Sequence, residues 1–233
     1  MNLTSLFEKF SYEDIKRFID EKQEENLTLE FKTIKHASFN YEDDRRNLAK
    51  CLSGFSNSSG GLVIWGIDAR KNADHIDCAT EAKPIEDVNL LISRLNELEH
   101  DAVSPKIDRV MHKPIVINGN IGFGVTYVPE SFSGPHMAKF KEYRYYKRSG
   151  DTFYKMEHFD IEDMFGRRKK PKLDLFILVS NSGKDSKITV GIENTGRGSA
   201  KGPYLAFLAP KPFLLSEYGI DGNRYTGLPR IKG

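Results

Sequence analysis

The stretch EENLTLEFK, residues 24–32, sets Glu25 five positions ahead of Glu30 and follows Glu30 with Lys32. Two carboxylates about 4 Å apart at a partly exposed position repel by roughly 4 kcal/mol at an effective dielectric of about 20, so acids brought together need a cation or a shared proton. A hard divalent ion, Mg²⁺ or Mn²⁺, suits all-oxygen donors and keeps waters, one of which can attack a phosphodiester. Lys32 lies on Glu30's face of an extended strand and would offset charge developing in such an attack. Asp68 ends the run LVIWGID, and open α/β sheets place ligands beyond the carboxyl ends of their strands. The same residues have plainer readings: Glu24 and Glu25 as a solvated helix end, Glu30 and Lys32 as an exposed ion pair worth well under about 1 kcal/mol, and Asp68 as a turn cap. Glu25 also carries a geometric condition. An odd offset from Glu30 puts it on the opposite face of a straight strand, so it joins the others only if residues 25–27 bend or bulge.

The stretch EYRYYKR alternates Tyr143, Tyr145 and Lys147 with Arg144, Tyr146 and Arg148, combining stacking rings with phosphate-pairing cations. Tyrosine is equally a good strand former. Arg167, Arg168, Lys169 and Lys170 add either phosphate contacts or a solvated linker. The histidines His36, His100, His112, His136 and His158 show no ligand or triad spacing. No G-x-x-x-x-G-K-[ST] occurs, so no ATP site is expected.

These residues need elements to position them. SYEDIKRFIDEKQEE reads as an amphipathic helix opened by Ser11 and Asp14, and LTLEFK alternates as a half-buried strand. A helix from Glu42 through Phe55 stops at NSSGG, LVIWGID reads as one central strand ending at Asp68, and IEDVNLLISRLNELEH is a further helix. KIDRVMHKPIVIN and IGFGVTYVPE form a hairpin about NGN; EYRYYKRSG is a strand and HFDIEDMF a short closing helix. The expected class is α+β, with a mixed domain over residues 1–168, a basic hinge at 169–172 and a β-rich, sandwich-like segment at 173–233. About 60 residues make a thin core alone, so that segment is read as partial, as packing on the first domain, or as completed by oligomerising.

Lys and Arg total 35 against 33 Asp and Glu, so the net charge of +2 announces no nucleic acid by itself and local patches must carry that case. Cys51 and Cys78 are too few for a disulfide framework and read as reduced thiols. With no long apolar run and no leader-like start, the chain is expected to be soluble, cytoplasmic and free of membrane.

LEFK, then FSNSSGGLVIWGID, then YYKRSGDTFYKM followed by DIEDMF, in this order and spacing, resemble the schlafen AlbA-like (divergent AAA) domain across about residues 20–168. The tail is loosely similar to Ig-like modules. The resemblance implies a nucleic-acid-handling domain. In schlafen nucleases it implies three metal-holding carboxylates that cut RNA, here Glu25, Glu30 and Asp68. The zinc cluster of animal schlafens and a second AlbA-like lobe are absent, so a clamp around folded RNA requires a homo-oligomer. The expectation is therefore a Mg- or Mn-dependent endoribonuclease, with tRNA among its substrates, acting in phage defence or stress. In it Lys32 helps, while Tyr143, Arg144, Tyr146, Lys147 and Arg148 grip RNA in preference to DNA. The rival readings are a non-catalytic DNA- or RNA-binding module or regulator, and an oligomerising sensor or adaptor.

Overall fold

The computed structural model describes residues 3–167, 171–182, 185–196, 198–203 and 205. The chain divides into two compact units, Met1–Arg168 and Lys169–Gly233. In chain order the first carries α1 (Leu3–Lys9), α2 (Tyr12–Asp20), β1 (Leu29–Lys32), α3 (Glu42–Ser56), β2 (Gly61–Trp65), β3 (Ile67–Lys71) and β4 (Asp77–Ala82). It continues with α4 (Val88–Ala102), β5 (Val103–Ser104), β6 (Met111–Asn118), β7 (Ile121–Val128), β8 (Met137–Ala138), β9 (Arg144–Ser149), β10 (Thr152–Lys155) and α5 (His158–Arg167). The second carries β11 (Leu173–Ser182) and β12 (Asp185–Asn194). The class is α+β, and among the described residues no helix is long and apolar enough to cross a membrane.

Two four-stranded sheets organise the first unit, one in the order β1-β2-β7-β6 and the other β10-β9-β8-β5. In the first, β1 runs parallel to β2 and the remaining pairs are antiparallel. Side-chain alternation divides the core. Leu62 and Ile64 join Phe10, Ile15 and Phe18 from the α1–α2 side, together with Phe31, Phe123 and Val125. Val63 and Trp65 face α3 and α4, joining Leu48, Leu52, Phe55, Leu91 and Leu95, with Tyr146 and Phe153 from the second sheet. Gly54, inside α3, makes this approach possible: a Cβ there would sit 2.2 Å from the Phe153 ring.

The four expected helices form as α2, α3, α4 and α5, and α1 at Leu3–Lys9 is added to them. Ser11 opens α2, where the Asp14 carboxylate accepts its backbone N–H at 2.9 Å. The β6–β7 hairpin turns at Gly119, whose φ is +57°. Two expectations are corrected. LVIWGID is not one strand, because Gly66 adopts φ +105° and turns the chain out of the sheet; β3 then pairs with β4, a strand the polar sequence DCATEA conceals. Asp68 therefore lies within a two-stranded ribbon and not at the end of a central strand. LEFK is not half-buried either: Leu29, Glu30 and Phe31 are all buried, since α3 and the second sheet cover the face expected to meet solvent.

In the second unit β11 and β12 form an antiparallel pair, with Leu175, Ile177 and Val179 opposite Ile192, Val190 and Ile188. The run YLAFLAP lies outside the described residues apart from Leu205, as do Arg168, Lys169 and Lys170 and the side chain of Arg167.

A Cβ at residue 66 would also meet the Phe123 ring at 2.8 Å and the Lys83 carbonyl at 3.0 Å. Gly66→Ala should lower stability by about 1–3 kcal/mol, read as a fall in the urea midpoint at unchanged slope.

Candidate functional site

The bend that Glu25 requires is built by Asn26. Its side-chain carbonyl accepts the Thr28 N–H at 2.9 Å and the Thr28 hydroxyl at 3.2 Å, and its backbone exchanges hydrogen bonds with Leu29. The chain reverses over residues 26–29 and carries Glu25 back alongside β1. There the Glu25 N–H donates to the Asp77 carbonyl at 2.8 Å, and Glu25 Oε1 accepts the Phe31 N–H at 2.9 Å. Since β1 is an edge strand, that N–H has no sheet partner, and the carboxylate takes its place.

Glu30 points toward α3 and meets Arg148 from β9. The Arg148 side chain has no exposed surface. Its Nη1 pairs with Glu30 Oε2, and its Nη2 lies 3.7 Å from Glu25 Oε2 and donates to the Leu29 carbonyl at 3.0 Å. Its Nε donates to the carbonyls of Asn26 (3.1 Å) and Gly150 (3.2 Å). The guanidinium carbon sits 4.3 Å from the Phe153 ring centroid and 5.4 Å from that of Phe55. Lys32 Nζ closes the group, pairing with Glu30 Oε1 and donating to the Phe31 carbonyl at 3.1 Å. The plain readings of Glu25 as a solvated helix end and of Glu30 and Lys32 as an exposed pair do not hold, because both glutamates are buried.

Burial, followed by the neighbouring Glu30 charge, pushes the Glu25 carboxyl up to about 8. Burial works against the Lys32 ammonium, but the Glu30 carboxylate together with the neighbouring Cys51 and Glu25 outweighs it and holds Lys32 above its ordinary value. Burial also pushes the neighbouring Cys51 thiol up to about 12, leaving it inert. At neutral pH Glu25 is therefore largely protonated, and Glu30 faces two cations.

Asp68 stands outside this group, with its carboxylate 2.9 Å from Arg70 Nε. A cleft of about 170 Å³ nevertheless has Glu25, Lys32, Asp68 and Asp77 in its walls, with Glu30 buried behind them. Asp77, missed in sequence, arrives through the pairing of β4 with β3. Among the described residues no three His, Cys, Asp or Glu side chains group as a metal ion requires. Both Glu30 oxygens face cations, Glu25 takes a backbone N–H and Asp68 pairs with Arg70. As arranged, these donors do not fit a divalent ion, since Arg148 and Lys32 already supply the positive charge.

On β9 the sequence expectation needs correction at two positions. Tyr146 and Arg148 face the core and cannot grip a polynucleotide. Tyr143 is 65 % exposed and Arg144 is exposed, while Tyr145 and Lys147 are partly exposed on the outer face. Opposite Lys147 stands Tyr154 of β10, which only the strand pairing reveals. Lys147 Nζ lies 3.5 Å from Asp160 of α5.

Two histidines are internal ties. His136 is buried; Asn57 Oδ1 accepts its N–H at 2.8 Å, and Asn57 Nδ2 donates to its carbonyl at 2.9 Å. His112 lies between Glu99 (3.0 Å) and the Thr126 hydroxyl (2.8 Å), which also accepts from Trp65 Nε1 at 2.8 Å. This has the composition of a hydrolytic triad, but Thr126 is fully buried and no substrate reaches its oxygen.

Residues 25–157, more than half of the chain, match the family model described as Schlafen, AlbA_2. No curated protein matches the chain.

Two outcomes follow from the buried charges. Arg148→Met leaves Glu30 with Lys32 alone and the Asn26, Leu29 and Gly150 carbonyls without their guanidinium donor, and should destabilise the domain by about 3–5 kcal/mol in chemical denaturation, with part of the loss recovered in Arg148→Met/Glu30→Gln. Glu25 holds its proton more tightly folded than unfolded, so its stabilising contribution is fully present below pH 4.5 and is lost as pH rises through about 8. Glu25→Gln keeps the acceptor for the Phe31 N–H and should flatten that decline in urea midpoints measured from about pH 5 to about pH 9.

Proposed function

The chain belongs to the Schlafen, AlbA_2 family, and on that premise we propose that its first unit binds single-stranded nucleic acid, RNA before DNA, along the outer face of β9 and β10. Family membership carries a nucleic-acid-related role. The observation that supports the finer reading is that Tyr145, Lys147 and Tyr154 share one partly exposed sheet face, with Tyr143 and Arg144 at its edge. Tyrosine rings accept bases of any identity by stacking, and the cations pair with phosphates. The opposite face of the same strand is anchored through Arg148 to Glu30, so the buried cluster holds this platform rigid. Two copies would surround a folded RNA more completely, which makes a cytoplasmic homo-oligomer part of the reading.

A second reading, a metal-dependent endoribonuclease in defence or stress, is supported by the cleft that Glu25, Lys32, Asp68 and Asp77 line together. It requires the two glutamates to be released from Arg148.

Fluorescence anisotropy with labelled single-stranded RNA separates the two. Tyr145→Ala and Tyr154→Ala should each weaken binding about 5- to 150-fold, and affinity should fall steeply with salt. RNA binding unaltered by both substitutions would overturn the platform. Cleavage that needs Mn²⁺, stops in EDTA and is lost in Asp68→Asn, which leaves the buried cluster intact, would establish the second reading instead.

A further inference from the structure

A second cavity, of about 250 Å³, opens beside Lys147, where the outer face of β9 meets the loops after α3 and β7. Its walls include Ser59, Glu130 and Lys147 with the apolar side chains of Leu27, Phe132 and Met164. The two loops are tied together from within. Ser131 N–H donates to the Ser56 carbonyl at 2.9 Å, the Ser131 hydroxyl lies 2.7 Å from His136 Nε2, and His136 is held by Asn57. The cavity is therefore present before any ligand arrives. Phe132 is 64 % exposed at its rim, a large ring left in water next to a concave, mixed polar and apolar surface. Such a ring gains when something flat covers it.

We propose that this cavity takes one unstacked base of the strand lying on β9 and β10, an inference that rests on the single-strand reading above. Its volume is below the ~300–1,000 Å³ of pockets for drug-sized ligands, which suits one ring system and not a longer segment. Phe132 supplies the stacking surface, Leu27 and Met164 the apolar wall. Lys147 exchanges its contact with Asp160 for the adjoining phosphate. A carboxylate only accepts hydrogen bonds, so Glu130 selects a base edge that presents donors. Guanine offers two adjacent donor groups on its Watson–Crick edge, and uracil one. The preferred base is guanine.

The test is anisotropy with two labelled RNA hexamers, one all-uridine and one with a single central guanosine, on the full chain. Wild type should bind the guanosine hexamer about 10-fold more tightly. Phe132→Ala should weaken both hexamers about 5- to 150-fold, while Phe159→Ala, a change at a ring 80 % exposed on α5, leaves both unchanged. Glu130→Gln should abolish the guanosine preference and keep the all-uridine affinity. If wild type binds the hexamers but Phe132→Ala matches it, the cavity is not a base site and the platform reading stands alone. If wild type binds neither, both readings fall together.

Discussion

One buried guanidinium organises this domain. Arg148 reaches from β9 to Glu30, to Glu25 and to the carbonyls of Asn26 and Leu29, so it ties the second sheet to the edge strand of the first. Removing charges from water costs several kcal/mol per ion and is offset only where pairing is nearly complete. Here every part of the fork has a partner, and two aromatic rings close over it. The turn at Asn26, the burial of Glu30 and the placement of Gly54 under Phe153 are all conditions for that closure.

Strand parity converts the same anchor into a surface. Because successive side chains on β9 alternate, burying Tyr146 and Arg148 obliges Tyr145 and Lys147 to face outward, and pairing with β10 adds Tyr154 to their side. Of the two acids that the sequence sets close together, Glu30 serves as the counter-charge of Arg148 and Glu25 caps the Phe31 N–H. The cleft beyond it retains acids in its walls, with Asp68 and Asp77 contributed by the β3–β4 ribbon.

Much of this was legible in the residues. The apolar periods of LVIW and of the α3 and α4 segments mark the core, the Asn-Gly signal marks the hairpin, and the condition that Glu25 must bend back to reach Glu30 was explicit. What supplied the bend, Asn26 with Thr28, is local chemistry readable in the sequence. The partner of Glu30 was not readable, because Arg148 lies 118 residues away and alternation shows that β9 has two faces without showing which is covered. Tyr154 and Asp77 escaped for the same reason, since each acquires its place through pairing with another strand. Gly66 sits within an apolar run, where its positive φ leaves no trace in hydrophobicity.

The departure at Gly66 also separates two kinds of tolerance. The Gly66 N–H and carbonyl bond to Lys32 and Lys83 at 2.7 Å each, closing the junction between sheet and ribbon. Beyond it, the β3–β4 turn at Asn72–Ile76 holds itself by its own hydrogen bonds. Lengthening or recomposing that turn, which lies beyond Asp68 and Asp77 in the cleft wall, would leave the registers of the four-stranded sheet intact, so the ribbon's tip tolerates change that its junction with the sheet does not.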